Sequence, residues 1–266
     1  MAEGDSNGVA APPKVKWVER RGRGRLGGSA VALALIQRAR FNNRRVLPLD
    51  ADWKSRTLSI YYPSVDAAGN KTADPASSPA TRDLSGFKTW LPAELDASLE
   101  DGVSRVLDIS GGSSEIDEFM DDLDLPEFCA EAGIGLVSLF MLGPDTEDLS
   151  HLMEAVSSGS VRPANLLIAF NEGVMRGGNA LEVFGRVKMS DEIKKLVEEG
   201  ARVMFVQRFP CMTMLREKAE DFTGSRTAKV RTAPGYFRPK FIWRGHGPHI
   251  SSLNSNVSGS GTVCRE

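Results

Sequence analysis

From residue 15 onward, short apolar runs alternate with amphipathic segments, and this pattern predicts a sheet interleaved with helices. Residues 15–18 read as a first strand. Residues 29–40, SAVALALIQRAR, read as a helix that is apolar nearly throughout at first. It turns basic at its end, where the macrodipole favours cations. Residues 46–49 read as a second strand, although Pro48 removes a ladder donor from it. Residues 91–99 read as a helix, and 103–109 as a strand running into glycines. Residues 114–123 read as an acidic helix, opened by Ser113 or Ser114 as a cap. The alternation then resumes: strand 134–142, helix 146–156, strand 165–170, helices 180–184 and 191–199, strand 202–206 and helix 212–222. Strands alternating with helices imply an α/β domain whose mostly parallel sheet carries helices on both faces, in three layers.

Three stretches break the pattern. Residues 1–14 are small, polar and proline-containing, and read as a disordered lead. Residues 63–86 are rich in Pro, Ala, Ser, Asp and Gly, and read as a long loop or linker inside a domain spanning 15–223. Residues 224–266 show little periodicity and read as a flexible basic-aromatic tail. In that tail Arg226, Lys229, Arg231, Arg238, Lys240 and Arg244 alternate with Tyr236, Phe237, Phe241 and Trp243. Such a pattern suits a phosphate backbone with stacked bases, a membrane interface, or no specific ligand at all. His246 and His249 lack the partners a metal site needs.

Composition narrows the class. The 266 residues suit one large α/β domain with tails, and the net charge of -2 gives no global pull toward nucleic acid. No run is apolar enough for a membrane helix, and the first residues do not form a secretory signal. The three cysteines, Cys129, Cys211 and Cys264, lack metal-like spacing and fit reduced thiols in a cytoplasm.

The chemistry concentrates in residues 16–40, KWVERRGRGRLGGSAVALALIQRAR, where a strand enters a glycine-rich loop that opens a helix. Glycines let backbone N–H groups turn inward around phosphate oxygens, and the helix N-terminus adds its positive end. Against the pattern G-x-x-x-x-G-K-[ST], Gly22, Gly27 and Ser29 stand at the right spacing, while Gly28 stands at the lysine. Next, RRVLPLDADWKSRTLSIYY ends a strand in Asp50 and Asp52, at the sheet edge where ligands bind in such folds. RVLDISGG then ends a strand in Asp108 with glycines behind it.

Together these stretches resemble the deviant Walker A family of P-loop ATPases, which includes ParA, MinD and the conjugal-transfer TraL proteins. The resemblance covers roughly residues 15–222 and is looser in the middle. In that family's loop, K-G-G-x-G-K-[ST], Arg23 stands at the signature lysine, Gly24 matches and Arg25 replaces a glycine. Gly27 and Ser29 match, Gly28 replaces the P-loop lysine, and Ala30 replaces the usual threonine. LLIAFNEGVMRGG is similar to the stretch in which a strand delivers an Asn, here Asn171.

The resemblance implies a P-loop NTPase fold that binds ATP and Mg²⁺, unless the altered loop has lost both. It implies nucleotide contacts from Gly22, Arg23, Gly24, Gly27, Gly28, Ser29 and Asn171. Ser29 would hold the metal, with Asp50 and Asp108 in or near its second shell, and Asp52 would position the attacking water. Arg23 would reach a partner's nucleotide across a homodimer. DNA or a DNA-bound protein would be the further partner, in plasmid partition or conjugal transfer. Weak or lost ATP hydrolysis follows from Gly28, and a lysine restored there is expected to tighten nucleotide binding.

Other readings stay open. Asp50, Asp52 and Asp108 also read as polar strand ends, Asn171 as a turn cap, and the acidic run 115–124 as a solvated helix face or a docking surface for a basic partner. A non-catalytic pseudo-ATPase module, or another enzyme such as a synthetase on the same scaffold, fits the same fold.

Overall fold

A computed structural model describes residues 14–208, apart from 110, 112, 113 and 176. The 1–13 lead, the 212–222 helix and the basic-aromatic tail therefore lie outside the described residues, as do Cys211 and Cys264. The strands are β1 (Lys16–Arg21), β2 (Val46–Ala51), β3 (Ser104–Ile109), β4 (Gly135–Leu142), β5 (Leu166–Asn171) and β6 (Arg202–Val206). The helices are α1 (Gly28–Phe41), α2 (Thr57–Tyr61), α3 (Leu84–Asp101), α4 (Ser114–Asp122), α5 (Leu125–Glu131), α6 (Thr146–Ser157), α7 (Ala180–Val183), α8 (Gly185–Lys188) and α9 (Asp191–Glu198).

The six strands form one sheet in the order β2-β3-β1-β4-β5-β6, and every pairing is parallel. Period-two alternation sends successive side chains to opposite faces. Val106 of β3 packs with α1 and α2, while Leu107 packs with α3, α4 and α5. Leu139 and Met141 of β4 meet α1, while Phe140 and Leu142 meet α6, α8 and α9 on the opposite face. The protein is thus a three-layer α/β fold. Its chain order reverses at β1, because β1 leads outward to β2 and β3 leads across β1 to β4. In open parallel sheets the ligand crevice lies at the carboxyl ends of the strands beside such a reversal.

Several bounds differ from the sequence expectation. Strand β1 runs three residues past Val18, through Glu19, Arg20 and Arg21, all buried in the middle of the sheet. Pro48 is tolerated because β2 is an edge strand; its carbonyl accepts from the Ser77 amide at 3.0 Å, and Ser77 in turn accepts from Asp50 N–H. Helix α3 starts at Leu84, inside the predicted linker, because the Asp83 carboxylate caps it by accepting from Gly86 N–H at 2.8 Å. The helices α2, α5 and α8 are additions to the sequence reading. On α4, Ile116 and Met120 are buried while Glu115, Glu118 and Asp122 are exposed, so the helix turns its acidic side chains outward.

Candidate phosphate site

The loop between β1 and α1 leaves the sheet at its reversal point. Arg25 has φ 69° and Gly27 has φ 76°, whereas the intervening Leu26 and the following Gly28 keep negative φ. An alternation of left- and right-handed residues can turn consecutive N–H groups toward one centre, the nest geometry that suits an anion, and the alternating signs of φ here are those such a nest requires. The left-handed position at residue 25 is occupied by an arginine, a conformation that costs a residue with a Cβ on the order of 1 kcal/mol. Helix α1 begins at Gly28 without a side-chain cap, so its first N–H groups add to the same concavity. Its buried stripe, Gly28, Val31, Ala32 and Ile36, seats it on the sheet.

Neighbouring loops hold this segment at close range. A Cβ on Gly111, just after β3, would lie 2.6 Å from the Gly22 carbonyl oxygen and 2.7 Å from the Gly24 nitrogen, so only glycine passes there. Gly22 is buried against Met141 of β4, and Gly24 is exposed. At the end of β5, the Asn171 amide donates to the Leu26 carbonyl at 2.7 Å. Its own oxygen accepts from Gly173 N–H at 2.8 Å. Asn171 thus does cap a turn, and its side chain also fastens the nest from outside. Arg23 donates to Glu147 at 2.7 Å and lies 3.5 Å from Asp148, both in the first turn of α6 of the same chain. Asp148 is buried and accepts from Gly143 N–H at 3.1 Å; its burial raises its pKa.

Beneath the nest lies a row of charges. Asp50 of β2, Asp108 of β3 and Arg20 of β1 are neighbours in register across three adjacent strands, on the α1 face. All are at most 4% exposed. Arg20 donates from Nε to Asp108 Oδ1 at 2.7 Å. Among the described residues, neither terminal nitrogen of Arg20 makes a hydrogen bond, and the second oxygen of Asp108 is buried without a partner. The Arg20 side chain also fills the space beside Gly28: a Cβ there would meet its Cδ and lie 2.5 Å from its Nε. The expectation that a lysine at 28 restores binding therefore changes, since any side chain at 28 must first displace Arg20.

Asp50 accepts from Ser59 N–H at 2.7 Å and from Asp52 N–H at 3.2 Å. Burial and the nearby Asp108 charge raise its pKa, against the lowering effect of those N–H bonds; burial is the largest influence. Asp52 is buried and accepts from Lys54 N–H at 3.0 Å and Ser55 N–H at 3.1 Å, closing the turn after β2. Ser29 lies half-buried in the first turn of α1.

Asp50 and Asp108 do not fit as direct ligands of a bound Mg²⁺. The ion requires near-octahedral oxygen geometry and keeps several waters. Here one Asp108 oxygen holds a guanidinium, the other has no solvent access, and both Asp50 oxygens accept backbone amides. Among the described residues, no group of three His, Cys, Asp or Glu side chains is arranged to hold a metal.

A second buried polar cluster lies on the opposite face of β1. Glu19 accepts from the Ser138 hydroxyl at 2.6 Å and sits 3.2 Å from Arg21 Nε. Cys129 is buried near it, and burial, with the Glu19 charge, pushes its thiol up to about 12. Arg21 therefore points away from the nest. The sequence reading passed over Arg20, whose signal was present: a charged run inside a strand flanked on both sides must find buried partners.

The fold is similar to several solved structures. A nucleotide-binding protein from Archaeoglobus fulgidus in complex with ADP, with Co, aligns at TM-score 0.44 and 12% identity, over 77% of this chain and 87% of that one. The MinC:MinD cell division complex of Aquifex aeolicus aligns at TM-score 0.45 and 12% identity, over 77% and 86%. A plasmid partition protein from Borrelia burgdorferi B31 bound to AMPPNP aligns at TM-score 0.45 and 14% identity, over 79% and 90%. The ligands named are those of the other proteins. No family profile matches this sequence, and no curated protein matches it. Among the described residues, no helix is long and apolar enough to cross a membrane.

Proposed function

We propose that the chain is a nucleotide-dependent switch of the ParA/TraL type, acting in plasmid partition or conjugal transfer with weak or absent ATP hydrolysis. One observation carries this reading: the alternating nest at residues 25–28, which opens α1 at the carboxyl edge of the central strand. The polyphosphate of ATP or ADP is the ligand such a concavity suits. Hydrolysis is slow because no lysine stands at residue 28. Loss of one electrostatic stabiliser costs on the order of 10²–10³-fold in rate. A switch depends on binding and release more than on turnover, so slow chemistry is compatible with it. Homodimerisation, contact with DNA or a DNA-bound protein, and a cytoplasmic location follow from the same sequence resemblance.

Calorimetric titration of the full chain with ADP and a non-hydrolysable ATP analogue tests the reading. A micromolar Kd supports it, and no heat up to about 1 mM ligand removes it. Phosphate release measured in parallel checks the second half. Turnover in the ordinary enzymatic range of about 1 s⁻¹ or faster would overturn weak hydrolysis. The glycine at residue 28 in place of the P-loop lysine favours a second reading, a non-catalytic interaction module that no longer binds nucleotide. The same titration separates the two.

A further inference from the structure

Resting on the phosphate-nest reading, we infer that Arg20 is the resident cation of this site, so that the site binds a polyphosphate anion without a divalent metal. The loop carries no lysine, and at that position Gly28 presents no side chain. The volume a side chain would take is occupied by the Cγ, Cδ and Nε of Arg20, arriving from the strand below. Arg20 is 4% exposed, and its guanidinium is anchored through Nε alone. Its two terminal nitrogens make no hydrogen bond to a described residue, and its Cδ and Nε lie against Gly28 in the N-terminal turn of α1. A planar guanidinium is suited to phosphate oxygens through paired N–H donors.

The same residue opposes a metal beside Asp108. A buried carboxylate needs a counter-charge, and Asp108 receives one at 2.7 Å from within the chain. A dication approaching Asp108 would have to displace the arginine or sit beside a positive charge. Gly28 and Arg20 are thus one structural feature. The glycine makes room for the arginine, and the arginine supplies charge to the site and neutralises Asp108.

The test is calorimetric titration of the full chain with ADP and with inorganic pyrophosphate, in millimolar Mg²⁺ and again in excess EDTA. A double variant, Arg20→Gln with Asp108→Asn, is titrated beside the wild type. It replaces the buried ion pair by a neutral hydrogen-bonding pair of similar shape, and thermal melting verifies that it folds. The expected result is an affinity that changes by less than about threefold on removing Mg²⁺, and falls by at least about tenfold in the double variant. Binding that requires Mg²⁺ would overturn this inference and leave the nest reading standing. Metal-independent binding retained by the double variant would overturn the role of Arg20. No binding of either probe in either buffer would overturn the nest reading itself.

Discussion

At the scale of single residues, two competing effects meet at Gly28. Helix propensity favours alanine over glycine by about 1 kcal/mol, so Gly28→Ala in the first turn of α1 would ordinarily stabilise. Here the new methyl would collide with Arg20, whose pairing with Asp108 leaves it little freedom to move. Overpacking of this kind costs about 1–3 kcal/mol, so the clash wins and Gly28→Ala lowers stability by about 1–2 kcal/mol net. Urea unfolding of the two proteins measures it, and a stabilised variant would show that Arg20 is not held. Asp50 gives a second residue-scale prediction. Its folded pKa is raised above the unfolded value, so the folded state binds its proton more tightly. Its contribution to stability is fully present below the unfolded pKa and is lost as pH rises through the raised one. Asp50→Asn therefore gains stability relative to wild type at neutral pH. That advantage shrinks as pH falls from 7 toward about 4, which melting curves of both proteins across this range would record.

At the scale of elements, the loop between β1 and α1 depends on its neighbours more than on itself. Apart from the helix it opens, the loop is positioned by the Asn171 amide from β5 and by the close approach of Gly111 after β3. Asn171→Ala leaves the Leu26 carbonyl and the Gly173 amide without these partners and costs about 1–3 kcal/mol. The same change loosens the nest, so ADP affinity falls by about tenfold even though Asn171 need not touch the ligand. Calorimetry paired with urea unfolding reads both, and unchanged affinity in the destabilised protein would detach Asn171 from the site. Strand β1 and helix α3 also show where element bounds come from. Residues 19–21 look like the end of a strand because they are charged, yet the strand continues because Glu19, Arg20 and Arg21 each have an opposite charge within reach. Helix α3 begins earlier than its apolar spacing suggests because Asp83 caps it.

At the scale of the whole molecule, ligand binding and folding share one equilibrium. A ligand that binds only the folded chain stabilises it by about 2.7 kcal/mol at 100 times its Kd. For a domain of this size that raises Tm by roughly 5–10 °C. ADP in EDTA should produce this shift in the full chain, and its absence at a concentration that saturates the calorimetric signal would mean that the heat arose elsewhere. The architecture accounts for the coupling: the nest sits where β1, β3, β4 and β5 all deliver loops, so opening the site disturbs the centre of the sheet.

The amino-acid sequence by itself determined the class of fold and most of the strand order in time, because hydrophobic periodicity is a local property that survives without knowledge of partners. It also marked the glycine loop, Asp50, Asp52, Asp108 and Asn171 as the residues to watch. Only the tertiary structure decided what those residues do with their hydrogen bonds. Asp52 closes a turn, Asn171 fastens the loop, and Asp108 holds Arg20. Arg20 and Asp108 are far apart in the chain and become neighbours only through strand register across the sheet. The meaning of Gly28 is tertiary in the same way: a glycine in place of a lysine reads as a loss until the side chain lying against it comes into view.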